Sequence, residues 1–174
     1  GWNCSIPSYS LRSVEISEGT TVIMKNAFSS YKVLASVLIP DSVTSIGDYA
    51  FSGCEALEKI IIPSRVTDIG KFAFSGSSII NITMGNKTSK IDEYAFANCV
   101  NLKTISNWDN VNIISKYAFK GCSKLGGDYG SVENSGITLP NKLTTIGEYA
   151  FQNCKSMYIN GNIPKSSRTI TIGK

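Results

Sequence analysis

Ile46-Gly47-Asp48-Tyr49-Ala50-Phe51-Ser52-Gly53-Cys54 decides the fold, because the chain keeps returning to it in register. It recurs as Ile69 to Ser77, and with substitutions at Ile91 to Cys99, Ile114 to Cys122 and Ile146 to Cys154. A decayed copy lies at Ile23 to Tyr31. The anchor phenylalanines are Phe28, Phe51, Phe74, Phe96, Phe119 and Phe151, at spacings of 23, 23, 22, 23 and 32. A fixed period in this range is the signature of one small unit stacked many times. Its repeated residues therefore read first as architecture.

One unit shows how. Leu57-x-x-Ile60-x-Ile62 alternates as a strand with one buried face, and Pro63 ends it because proline cannot donate into a ladder. Val66-x-x-Ile69-Gly70 is a second extended segment, and Phe72-Ala73-Phe74 turns back as a short helical or 3₁₀ element. Alanine precedes every anchor, which lets neighbouring coils approach closely. Gly53, Gly76 and Gly121, with Asn98 and Asn153, follow the anchor by two. Both residue types tolerate the left-handed backbone that stops a helical turn. A single coil cannot bury its own apolar side chains; a stack of six can.

Composition narrows the function classes. Of 174 residues, 42% are hydrophobic and 17% charged, which fits a packed domain rather than a disordered segment. No apolar run approaches the ~20 residues of a membrane helix. The net charge of +4 is spread along the chain, without the basic cluster of a nucleic-acid surface. The amino terminus has no signal-peptide pattern, which leaves secretion open for a mature chain or a fragment. There is no histidine, so the commonest general base and metal ligand are missing. No nucleophile–base pair, metal cluster or phosphate loop can be assembled, and the expectation is a non-enzyme without metal or cofactor.

Four of the five cysteines, Cys54, Cys99, Cys122 and Cys154, share one slot of the repeat, which Ser77 and Tyr31 fill in the other copies. They read as a buried ladder of small side chains. Parallel side chains on stacked coils rarely meet disulfide geometry, so thiols are expected. Three residues before each anchor stand Lys25, Asp48, Lys71, Glu93, Lys116 and Glu148, whose sign alternates at every step. Stacking would set each beside an opposite charge. Tyr49, Phe72, Tyr94, Tyr117 and Tyr149 form a stripe that reads as packing.

The pattern LxxIxIPxxVxxIGxYAFxGCxx resembles the BspA-type leucine-rich repeat. The resemblance runs from Leu11-x-x-Val14-x-Ile16 through Ile163-Pro164 to Ile170. It implies a strand-rich α/β fold: a right-handed solenoid of about six repeats, one domain over residues 1–174, with the LxxIxI strands in a parallel sheet on the concave side. It further implies a cell-surface or secreted protein, often bacterial, that adheres to host or microbial proteins.

Several positions depart from the pattern. Gly85 and Trp108 replace the proline, Asn107 replaces a strand isoleucine, and one residue is missing between Phe74 and Phe96. Trp108 is expected to be partly exposed at a coil corner. Nine extra residues fall in the stretch from Gly126 to Gly136. The last coil stops before its own Ala-Phe, and no polar cap is evident, so the chain reads as a piece of a longer array with an open strand edge.

Two places could carry binding. Flanking the buried strand positions, Ser36, Leu38, Lys59, Ile61, Asn81, Thr83, Thr104, Ser106 and Thr138 point outward from the concave sheet. They form either an ordinary solvated face or a surface for a protein or glycoprotein, which needs ~800 Å² per side. The Gly126–Gly136 loop is the second, with Tyr129 as anchor and Asp128 and Glu133 as charges; tolerated insertion, recognition and a weak calcium site are its readings. Asn3-Cys4-Ser5, Asn81-Ile82-Thr83 and Asn86-Lys87-Thr88 fit the N-glycosylation acceptor pattern. A surface interaction module leads, with a passive spacer projecting another domain as the alternative. Nucleic-acid binding and membrane insertion are not expected.

Overall fold

In the computed structural model, which describes residues 8–127, 136–159 and 169–170, each copy of the repeat makes one coil. The LxxIxI segments form three-residue strands: β1 (Ser13–Glu15), β3 (Ser36–Leu38), β5 (Lys59–Ile61), β7 (Asn81–Thr83) and β9 (Thr104–Ser106). The segments ending in Ile-Gly form two-residue strands: β2 (Val22–Ile23), β4 (Ser45–Ile46), β6 (Asp68–Ile69), β8 (Lys90–Ile91), β10 (Ile113–Ile114), β11 (Thr145–Ile146) and β12 (Thr169–Ile170). All pairings among the named strands are parallel and set equivalent repeat positions opposite one another. Ile60 faces Ile82, and Ile82 faces Ile105; Ile23 faces Ile46, and Ile46 faces Ile69. An in-register stack is the only one that keeps every isoleucine on the buried face, since a one-residue slip would turn it outward.

The two faces differ in continuity. The Ile-Gly strands make one seven-stranded sheet, whereas the LxxIxI strands fall into a β1–β3 pair and a β5–β7–β9 sheet. Glycine explains the tight seam. A Cβ at Gly47 would lie 2.7 Å from the Lys25 nitrogen, and one at Gly147 2.4 Å from the Lys116 nitrogen. Without side chains there, Gly47 and Gly147 donate to the previous coil's isoleucine carbonyl at 2.8 and 2.7 Å. Asp92 and Ser115, which carry a Cβ in this slot, make the same bond at 3.4 and 2.9 Å, so only Asp92 is held off.

The Ala-Phe segment holds no helix among the described residues; it is three linked turns. Ala50, Ser52 and Cys54 donate to the carbonyl three residues back, to Gly47, Tyr49 and Phe51. The alternate amides of Tyr49, Phe51 and Gly53 donate to Lys71, Ala73 and Ser75 of the next coil, at 2.7–2.9 Å. A 3₁₀ helix would claim those amides for itself; the stack diverts every second one outward. Gly53, Gly76, Gly121, Asn98 and Asn153 take φ of 59–77°, as their residue types foretold. Tyr49, Phe72, Tyr94, Tyr117 and Tyr149 also sit at φ of 56–59°, where side chains this large are rare. Their rings stack at 4.6–5.2 Å, nearly parallel, which offsets the strain. The first coil carries Asn26 at the same position and φ.

The core is a second ring ladder. Phe28, Phe51, Phe74, Phe96, Phe119 and Phe151 stack at 5.2–5.4 Å. The Leu34–Leu57–Ile79–Leu102–Leu125 row and the strand isoleucines close around them. Burying one such side chain contributes about 1.5–3 kcal/mol. Outside the core, the alternating charges meet as ion pairs at two of their five steps. Lys71 pairs with Glu93 at 3.0 Å and Lys116 with Glu148 at 2.9 Å, while Asp48 accepts from the Lys71 amide at 2.8 Å. The carboxylate partner holds each lysine above its ordinary pKa.

The cysteine slot is a hydrogen-bonding slot. Cys54, Cys99, Cys122 and Cys154 donate S–H to the carbonyls of Phe28, Phe74, Phe96 and Phe119, at 3.1–3.2 Å. Ser77 donates its hydroxyl to Phe51 at 3.0 Å, which explains why serine substitutes there. Burial pushes Cys54, Cys99 and Cys154 up to about 12 and holds Cys122 well above its ordinary value. An unfolded thiol ionises near ~8.5, so the folded chain keeps these protons to higher pH. Their stabilisation is complete below pH ~8.5 and is lost as pH rises toward 12, by up to ~1.4 kcal/mol per unit per thiol. Urea unfolding at pH 8 and pH 10 is expected to show this loss. A variant with serine at all four positions is expected to lose most of the slope.

Candidate functional site

The outward residues of the LxxIxI strands share one face. Ser36, Leu38, Lys59, Ile61, Asn81, Thr83, Thr104, Ser106 and Thr138 are all exposed. Between them, Ile60, Ile82 and Ile137 are buried and Val37 and Ile105 are half-buried, so the period-two alternation holds. The face has two different ends. Toward the carboxyl-terminal coils its polar side chains bond to one another: Thr104 Oγ1 donates to Asn81 Oδ1 at 2.6 Å, and the Ser106 and Thr83 hydroxyls are 3.2 Å apart. Toward the amino-terminal coils lie Leu38, 60% exposed, and Ile61, 70% exposed. They flank the junction where β3 and β5 adjoin without a ladder, and Lys59 is exposed on β5 on the same face.

The inserted loop gives less. Asp128, Tyr129 and Glu133 lie outside the described residues, as do Cys4 and Asn3. The effect of the insertion on its surroundings is plain, however. β11 stays paired with β10, while on the other face Ile137 bridges to Ile159 and nothing described pairs with β9 on that side. Among the described residues the ladder thus continues on one face and stops at β9 on the other. Trp108 corrects the expectation of a partly exposed corner. It is 6% exposed, lies edge-on against Phe119, and its Nε1 donates to the Thr138 carbonyl at 3.1 Å. The physical reason is its neighbour. Asn107 adopts φ +57° and spends its side chain on Met84 O and Asn86 Oδ1, which turns the indole inward. The Asn86-Lys87-Thr88 acceptor pattern is compromised as well, because the Thr88 hydroxyl is buried and donates to Val66.

Among the described residues no group of three or more His, Cys, Asp or Glu is placed to hold a metal ion, and no helix is long and apolar enough to cross a membrane.

The sequence profile of the BspA type leucine rich repeat region matches in six copies, over residues 5–126 and 129–173. The chain belongs to this family. Its fold is shared by a leucine-rich repeat protein from Bacteroides ovatus at 29% identity and a TM-score of 0.67, over 89% of this chain and 44% of that one. A leucine-rich repeat protein from Eubacterium ventriosum matches at 24% identity and a TM-score of 0.63, over 88% of this chain and 45% of that one. The BspA-type chain thus spans less than half the length of these two structures. Among curated proteins no relative matches it. Leucine-rich repeat solenoids are in general interaction scaffolds that present an extended surface to proteins.

Proposed function

We propose that this chain is a cell-surface or secreted protein-interaction module, which adheres to host or microbial surface proteins or glycoproteins through the LxxIxI face. The Leu38–Ile61 pair is the observation that carries this reading. They are the two most exposed aliphatic side chains among the described residues, ahead of Met24, Val100 and Val22, and they lie at a junction without a ladder, with Lys59 on the same strand as Ile61. An apolar pair rimmed by polar groups is the anatomy of a binding hot spot. The extracellular setting follows from the family resemblance.

A passive spacer is the second reading. The self-bonded side chains of Asn81, Thr83, Thr104 and Ser106 favour it, since they offer few open hydrogen-bonding groups. The test is a binding screen of the immobilised, folded chain against extracellular-matrix proteins, mucins and bacterial surface extracts. Saturable binding at micromolar concentration is expected. Silence across the panel, with the chain well folded, would give the spacer reading the field.

A further inference from the structure

The outward residues of the LxxIxI strands stand in two rows along the axis of the stack. Glu15 lies opposite Leu38 in the β1–β3 pair, and Ile61 holds the same repeat position on the third coil. This row therefore reads carboxylate, aliphatic, aliphatic over three consecutive coils. Lys59 stands in the other row, two residues before Ile61 on β5. All four residues are exposed. Among the described residues Glu15 and Lys59 are in no ion pair. Elsewhere Lys32, Lys71 and Lys116 each hold a carboxylate of the next coil at 2.8–3.0 Å. In the two coils after Ile61, the outward polar side chains bond to one another. The open charges and the apolar pair of this face thus lie together, at its amino-terminal coils.

The coil spacing decides what fits along them. The ring ladders set successive coils 4.6–5.4 Å apart. An α-helix laid along the axis advances about 5.4 Å per turn, so it rests one turn on each coil. Its residues i, i+4 and i+7 share one face and span about 10 Å, the length of two coil steps. An extended segment laid the same way repeats a side only every ~6.6 Å and is out of step by the third coil. Charge fixes the rest: Glu15 calls for a cation at one end of the helix, and Lys59 for a carboxylate at the other.

We propose that this end of the face docks an amphipathic α-helix of a protein partner, laid along the stack. A lysine or arginine of the helix meets Glu15, aliphatic side chains meet Leu38 and Ile61, and an aspartate or glutamate meets Lys59. Apolar contact supplies affinity, and the two opposite charges set which end of the helix lies on the first coil. This rests on the adhesion reading of the same face and narrows its partner to a helix.

The test uses a display library of three-helix-bundle domains with one exposed helix face randomised. Clones are selected on the immobilised chain, and those that also bind the Leu38→Asp, Ile61→Asp variant are discarded. Enriched helices are expected to carry two aliphatic residues one turn apart, a basic residue one turn beyond them at one end and an acidic residue at the other. Glu15→Lys is expected to weaken a selected helix roughly two- to fivefold. Exchanging the helix's basic residue for glutamate is expected to restore the affinity, which also shows that the variant is folded. Moving one aliphatic residue by two positions, off the helix face, is expected to cost about tenfold or more. Thr145→Asp, on the opposite sheet, is expected to change nothing. No clone surviving the counter-selection, or surviving clones indifferent to Glu15→Lys, overturns the proposal. Matrix-protein or mucin binding through Leu38 and Ile61 would still stand in that case, and with it the adhesion reading. Enriched helices beside a silent matrix and mucin panel would support the helix site and sink those ligands instead.

Discussion

Phe74→Ala is expected to lower the stability of the chain by about 3–5 kcal/mol, and its melting temperature by roughly 10 °C. Phe74 is fully buried and stacks on Phe51 and Phe96, at 5.2 Å to each. Its removal takes away a buried ring and opens a cavity in the middle of a ladder. The carbonyl framework around it cannot collapse to fill the space, because the Phe74 amide and carbonyl are tied to Ala95 and Cys99 of the next coil. Phe28→Ala is the internal control. Phe28 is half-buried and stacks on a single phenylalanine of the ladder, Phe51, so about half the loss is expected. Urea unfolding checks both. In an array held by nearest-neighbour contacts, the central substitution should also lower the m-value, as the flanking blocks begin to unfold apart. Equal losses at the two positions would show that the ring ladder is not the main support of the stack.

Cys99→Asp carries the second large effect, again about 3–5 kcal/mol at pH 7. The slot is fully buried and is built for a donor: the Cys99 thiol gives its proton to the Phe74 carbonyl. An ionised carboxylate has no proton to give and would face that carbonyl without water. Desolvation raises the pKa of the new carboxyl above its ordinary ~3.9, so the folded variant binds more protons than the unfolded one between those values. Stability should therefore recover as pH falls through the raised pKa and decline as pH rises through it. Cys99→Ser restores a donor, as Ser77 shows one coil earlier, and is expected to stay within about 1 kcal/mol of the parent. Chemical denaturation of both variants at pH 5 and pH 7 separates the charge effect from a size effect. A Cys99→Asp variant as stable as Cys99→Ser at pH 7 would mean that the slot is open to solvent.

Much of this was legible because a repeat states its own constraints. The cysteine slot, the left-handed Gly and Asn positions, the alternating charges and the outward residues of each strand follow from comparing copies along one chain. What escaped lies in bonds between coils. The amides of Tyr49, Phe51 and Gly53 reach the next coil, so the Ala-Phe segment is turned rather than helical, and no single copy reveals that. The tyrosine stripe reads as packing, but its positive φ depends on stacking against the ring one coil away. Trp108 misled for a similar reason. A large residue in a proline slot looks displaced outward, whereas its indole N–H replaces a ladder bond that Asn107 gives up. The nine-residue insertion was visible, yet that the Ile-Gly ladder runs on past it, from β10 to β11, needed the structure.

In the function proposed above, the repeated slots are scaffold and recognition falls to the few outward positions that differ between coils. The most direct test compares three forms of the chain for equilibrium binding to an extracellular-matrix protein or mucin that the screen retains: the parent, Leu38→Asp with Ile61→Asp, and Thr145→Asp on the opposite sheet as control. Since all three positions are exposed, melting should be unchanged throughout. The account expects the double variant to lose about tenfold or more in affinity, and the control to match the parent. Binding retained by the double variant, or weakened equally by the control, would contradict it.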